Sequence, residues 1–303
     1  MFMDTILSGE MISADSKVDV DATPSRIAIF LDSITSAKYP SLYRNGACDA
    51  RNPVVIYDYQ ATRRADHPRE FLKDYSGVVV TDGYQVYHTL ENQREDLQIA
   101  GCWVHAKRKF AKIVKTTDSE ALTPNDIVAG EATKRIAKMF HLDNELDNLS
   151  KTDKEKQREL TIKPLVDDFF AWAKSVINKL PAGGTSYKGL QYCLNQEKYL
   201  RVFLSNGNVP MDNNRAEQAI RPFTVGRKNW VNVYSKGGSS ASAILYSIIE
   251  TTRANNLRIN DYLEYVISEL VKHQDDTNRD FLEKLLPWSD IVQEKFHSLQ
   301  KSN

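Results

Sequence analysis

PVVIYDYQATRRADHPREFLKDYSGVVVTDGY, residues 53–84, decides the fold class. Two β-branched runs, PVVIYDYQ and GVVVTD, flank HPREFLKDY, in which Pro68 stands near the start of a short helix. A strand, a helix and a second strand in 32 residues predict a mixed α/β sheet. Upstream, VDVDA at 18–22 and IAIFL at 27–31 read as strands, and downstream LQIAGCWV at 97–104 reads as a fifth.

After Trp103 the signal becomes helical: 103–115, 126–150, 153–180 and 187–204 carry apolar residues at three-to-four spacing. The polar stretch KTDKEKQREL at 151–160 reads as a solvated helix face. MDNNRAEQAIRPFTVGRKNW at 211–230 predicts a loop, a helix from about 214 and a break near Pro222. GGSSASAILYSIIETTRANN at 237–256 predicts a glycine hinge, a serine N-cap and an apolar helix. Further helices are expected at 259–272 and 278–299.

With 303 residues and 41% apolar content the chain can bury a sizeable core. No apolar run reaches the roughly 18 residues of a membrane span, and the opening residues lack the basic flank of a signal peptide, so a cytoplasmic protein is expected. Three dispersed cysteines, Cys48, Cys102 and Cys193, argue against a disulfide framework. Forty basic residues balance forty acidic ones, so any polyanion-binding surface must be local. The basic residues do cluster, at Lys107, Arg108 and Lys109 beside His105, and at Arg215, Arg221, Arg227 and Lys228 beside Trp230. Cations interleaved with an aromatic ring suit a DNA backbone and an unstacked base, and equally suit ordinary salt bridges around a core tryptophan.

Asp21 in VDVDATP and Asp82 in VVVTDGY stand at expected strand ends, where a carboxylate can reach a crevice and hold a hard cation. Each is also ordinary turn chemistry. Glu217 follows Asn214 by three residues, the pattern of a capping box. Cys102-x-x-His105 has zinc-like spacing, but no second pair matches it. Gly237-Gly-Ser-Ser before a helix is a weak phosphate-binding signal.

The motifs DYQATRRADHPREFL (58–72), TDGYQVY (81–87), GCWVHAKRKF (101–110), VPMDNNRAEQAIRPFTVGRKNW (209–230), AILYSIIETTRANNL (243–257) and LEKLLPW (282–288) together resemble the insertion sequence 66 family of bacterial transposases. The resemblance covers nearly the whole chain and is loose between about 115 and 185. It implies an RNase H-like α/β fold, a five-stranded mixed sheet flanked by helices, with an α-helical insertion before the catalytic glutamate. It also implies a DDE triad holding two divalent ions, Mg²⁺ or Mn²⁺. Matched residue by residue, the triad is Asp21, Asp82 and Glu217, with Asp19 a nearby rival for the first position.

The implied layout is a core over 1–110, a helical insertion over 111–205, the second part of the core over 206–258, and C-terminal helices from 259 to 303 that pack back on it. The implied partners are double-stranded DNA, as element inverted repeats and as target, with a homo-oligomer formed on DNA and no membrane. Two departures stand out. Ala22 replaces the acidic residue usual between the first Asp and the Thr, and the N-terminal zinc-binding and DNA-binding region typical of the family is not represented, so the chain reads as a truncated copy. The alternative is an inactive DNA-binding remnant.

Overall fold

The computed structural model describes residues 27–31, 40–45, 52–60, 64–116, 122–230 and 236–298. Asp19, Asp21 and Cys48, and with them the expected strand at 18–22, lie outside the described residues. The first elements are strands β1 (Ile27–Leu31), β2 (Pro40–Asn45) and β3 (Val55–Tyr59), helix α1 (Asp66–Phe71), strand β4 (Gly77–Thr81), helix α2 (Gln85–Asn92) and strand β5 (Leu97–Gly101). A helical run follows: α3 (Trp103–Thr116), α4 (Pro124–Glu145), α5 (Lys151–Gln157), a π-helical turn (Arg158–Ile162), α6 (Lys163–Val176), α7 (Thr185–Asn195) and α8 (Glu197–Leu200). The chain ends with α9 (Asn214–Trp230), α10 (Lys236–Ala254), α11 (Ile259–Lys272) and α12 (Asp290–Phe296). The protein is thus mixed α/β and mostly helical, with five strands among the described residues. No described helix is long and apolar enough to cross a membrane.

Two compact units divide the chain, one formed by residues up to Gly77 together with Arg215 onward, the other by Val78–Asn214. In the first, β1, β2 and β3 form an antiparallel meander with β2 in the middle, Leu31 facing Leu42 and Arg44 facing Val55. The expected strand list omits β2. PSLYRN has only two large apolar residues, Leu42 and Tyr43, but both are buried, and its proline occupies the first strand position, where a missing N–H costs no ladder bond. Tyr43 stacks on Phe71 of α1, their ring centroids 3.4 Å apart.

Helix α10 lies along β3 and presents Ser239, Ala243, Ser247 and Thr251, all buried, at four-residue intervals. Small side chains bring helix and strand close, and two hydroxyls reach the strand: Val55 N donates to Thr251 Oγ1 at 3.0 Å and Tyr57 N to Ser247 Oγ at 2.9 Å. Two strand residues advance about 6.8 Å and four helical residues about 6 Å, so the hydroxyl spacing matches the outward N–H groups of this strand. This buried stripe also explains why α10 starts at Lys236 and takes Gly237 and Gly238 into its first turn; the expected hinge before a serine cap is corrected accordingly.

The expected break at Pro222 is also absent, and α9 runs through it. A proline in mid-helix removes one backbone bond. The helix continues because Ala216, Ala219, Ile220 and Phe223 are buried on both sides of it, Phe223 against Tyr57 and Tyr246 at centroid distances of 5.7 and 5.1 Å. The Tyr57 hydroxyl also donates to the Ala219 carbonyl, three residues before the proline. The C-terminal helices close this unit: Ile248, Leu257, Tyr262, Val266, Leu282, Leu285 and Val292 form one core cluster, with Val54 and Ile56 packed against it.

In the second unit β4 and β5 are neighbours joined through α2. Their buried residues, Val78, Val79 and Val80 and then Leu97, Ile99 and Ala100, form near-continuous apolar runs, as in strands covered on both faces. The helices that follow pack around Trp103, which meets Phe169 and Phe170 at 5.4 and 5.9 Å and donates from its indole to the Leu200 carbonyl at 2.8 Å. Phe110 lies so close to Gly189 that an added Cβ there would stand 2.7 Å from its ring. Arg158, fully buried on the π-helical turn, pairs with Asp143 of α4 through Nε and Nη2, at 2.7 and 3.0 Å. It also donates to the carbonyls of Phe203, Asn206 and Val209, fixing the loop that leads to α9.

Candidate functional site

Asp82 directly follows β4 and is half-buried. Its Oδ1 accepts the Tyr84 amide at 3.1 Å, an Asx turn, while the buried Thr81 hydroxyl accepts the Gly83 amide at 3.3 Å. Gly83 has φ +92°, a conformation glycine adopts without strain, so a sharp turn sets the carboxylate at the strand end.

Two side chains of the helical region close over this turn. The Tyr192 hydroxyl of α7 donates to the Asp82 carbonyl at 2.9 Å, and a Cβ at residue 83 would lie 2.9 Å from that hydroxyl and 3.3 Å from Gln196 Oε1. Burial pushes the Tyr192 phenol above its ordinary range, and the neighbouring Cys102 and Asp82 add to the effect. Lys109 Nζ lies 4.6 Å from the centre of the Tyr192 ring.

At the end of β5 the Cys102 thiol donates to Asn213 Oδ1 at 3.0 Å, and burial pushes its pKa up to about 12. Among the described residues no three His, Cys, Asp or Glu side chains group closely enough to hold a metal ion. The Trp103 amide donates to the Met211 carbonyl at 2.9 Å, so the segment before α9 is tied to the end of β5. Asp212 there accepts from the Asn214 amide and from its side-chain amide, at 2.8 and 2.7 Å. Asn214 is consequently the first helical residue and is itself capped from Asp212, not the cap that the sequence pattern suggested.

Of the expected DNA-contacting residues, Arg108 and Lys109 are exposed on α3, whereas His105 and Lys107 are half-buried, with Arg108 Nη1 and His105 Nε2 3.5 Å apart. This unit therefore carries Asp82 and the first basic cluster. The other unit carries Glu217, half-buried in the first turn of α9, with Arg215 and Arg221 exposed on the same helix. The Arg44 guanidinium donates to the Arg215 carbonyl at 3.4 Å. Arg227, Lys228 and Trp230 belong to the backbone of α9, and their side chains lie outside the described ones, as does all of Asp21.

Sequence reading passed over three residues. Asp58, at the end of β3, is raised above the usual carboxylate range by burial, only partly offset by Gln60 and His67. DYQ carried that signal. Asp212 sits in the quoted MDNN motif. Tyr192 has no sequence signal, because it meets Asp82 across 110 residues.

Comparison with known proteins gives a consistent result. The family model described as Transposase IS66 family matches residues 7–241. Among curated proteins of Sinorhizobium fredii (strain NBRC 101917 / NGR234), the chain is similar to Uncharacterized protein y4hP, 29% identical over 244 residues, which is 78% of this chain and 44% of that protein. It is also similar to Uncharacterized protein y4qI, at 27% over 78% of this chain and 43% of that one, and to Uncharacterized protein y4jD, at 29% over 78% and 46%. The matched part of the chain thus covers less than half the length of each of these relatives. No solved structure matches the chain.

Proposed function

The chain belongs to the insertion sequence 66 family of transposases, and from that premise we propose that it is the catalytic region of a DDE-type DNA transposase. On this reading the fold is RNase H-like, the helices between β5 and α9 are the insertion, and Asp21, Asp82 and Glu217 are the catalytic acids. The observation that carries the reading is Asp82 itself: a family-matched carboxylate held at a strand end by an Asx turn and a glycine with positive φ.

Carboxylate oxygens are the donors that hard divalent cations require, so the three acids suit Mg²⁺ or Mn²⁺, two ions being expected. When bound, the metal lowers the pKa of the attacking water and stabilises the leaving oxygen of a phosphodiester. The residues of the chain do the rest. The Asp82 turn fixes one carboxylate before substrate arrives, and Glu217 projects from a helical first turn where the backbone is rigid. His105, Lys107, Arg108 and Lys109 on α3, and Arg215, Arg221, Arg227, Lys228 and Trp230 on α9, meet the DNA backbone and orient it. The reaction is cleavage of a strand at an element end by water, followed by attack of the freed 3′-hydroxyl on target DNA. The partners are element inverted repeats and target DNA, joined by a second copy of the protein.

Nicking of supercoiled plasmid in Mn²⁺ tests the reading. The protein is expected to nick, and Asp82→Asn and Glu217→Gln are each expected to lose at least about a hundredfold in rate, about 2.7 kcal/mol of barrier. Undiminished nicking by both variants refutes the enzymatic reading. Metal-independent DNA binding with no nicking by any form supports instead an inactive DNA-binding remnant.

A further inference from the structure

We infer that Tyr192 is a positioning residue for Asp82, by which the inserted helices set the geometry of the strand-end acid. The inference rests on the proposed role of Asp82 and extends it to a residue 110 positions away. Three observations carry it. The Tyr192 hydroxyl donates to the Asp82 main-chain carbonyl at 2.9 Å, so it holds the peptide from which the carboxylate projects. It also stands where a side chain at residue 83 would have to go, so the turn after Asp82 and the hydroxyl of α7 fix each other. The Tyr192 ring is itself held, by burial and by Lys109 4.6 Å from its centre.

Gln196 Oε1 forms the other wall of this cradle and is buried with no hydrogen-bond partner among the described residues. Of the two side chains that close over the turn, Tyr192 is therefore the one that bonds its backbone, at the Asp82 carbonyl. Shifts of about 1 Å in a reacting group can cost a hundredfold in rate, and partners one step behind metal ligands typically carry ten- to a hundredfold of affinity. Tyr192 acts through the backbone of Asp82 and not through its carboxylate, so an effect at the low end of that range is expected.

The test compares the full chain with Tyr192→Phe, which removes only the donor, and with Asp82→Asn, reading Mn²⁺ binding by electron paramagnetic resonance, the metal-free melting temperature and plasmid nicking. Tyr192→Phe is expected to weaken Mn²⁺ binding and slow nicking about 5- to 10-fold, with the metal-free melting temperature within a few degrees of wild type. Gln196→Met is expected to stay within about twofold of wild type in both. Wild-type binding and nicking by Tyr192→Phe, while Asp82→Asn loses both, overturns the inference and leaves the role of Asp82 standing. A large drop in the metal-free melting temperature of Tyr192→Phe makes the hydroxyl a prop of the fold and also overturns it. Retention of Mn²⁺ binding and nicking by Asp82→Asn overturns the role of Asp82 and the inference with it.

Discussion

Thr251 Oγ1 and Val55 are joined by a reciprocal pair of hydrogen bonds, the hydroxyl accepting the Val55 amide and donating to its carbonyl, each at 3.0 Å. Both residues are buried, and β3 lies at one edge of the meander. An edge strand is a template for unwanted pairing, and here helix side chains occupy its polar groups. Thr251→Val keeps the shape and strands two buried backbone groups, so it is expected to lower stability by about 1–3 kcal/mol in urea unfolding and to promote aggregation on storage. Unchanged stability would show that water replaces the hydroxyl at no cost.

Arg158 is buried with Asp143 and three carbonyls as its acceptors. Removing one partner of a buried pair leaves the other charge uncompensated. Asp143→Ala is therefore expected to cost about 3–5 kcal/mol, and Asp143→Ala with Arg158→Met less than Asp143→Ala alone. A double-mutant cycle in urea measures both, and strict additivity would contradict the pairing.

Asp58 gives a pH dependence of definite sign. Burial raises its folded-state pKa above the ordinary aspartate value, so the native state binds the proton more tightly than the unfolded chain does. Stability is then lost as pH rises from the ordinary value through the raised one, and the loss is complete above it. Asp58→Asn is expected to raise the melting temperature at pH 7 and to converge with wild type in acid below the ordinary aspartate pKa. A lower melting temperature at pH 7 would instead mark Asp58 as a stabilising charge.

Arg108 is exposed on α3, beside His105. If it meets a phosphate, Arg108→Gln weakens DNA binding evenly across sequences and reduces the slope of log affinity against log salt by about 1. Filter binding over a range of salt concentrations reads this directly, and an unchanged slope removes Arg108 from the interface.

Much of the architecture was legible because local periodicity and burial agree. Four of the five expected strands are β1, β3, β4 and β5, and the helix at Pro68 is α1. What escaped depended on tertiary contacts. β2 is specified by its place between two strands, not by its own apolarity, and α9 runs through Pro222 because its buried face continues past the ring. At the candidate site, Asp82 and its glycine could be read from TDGY, since an Asx turn is local chemistry. Tyr192 and Asp212 could not, since each matters through a partner on another element or through a cap two residues earlier than the pattern suggested.

On the proposed function, Asp21, Asp82 and Glu217 hold metal together. Fe²⁺ substituted for Mg²⁺, with ascorbate and peroxide, generates hydroxyl radical at the bound ion and cuts the backbone beside it. Cuts are expected near all three residues in the wild-type chain, competed by Mg²⁺ and lost together in Asp82→Asn. Cuts near one of them only, or cuts that survive Asp82→Asn, would contradict that reading.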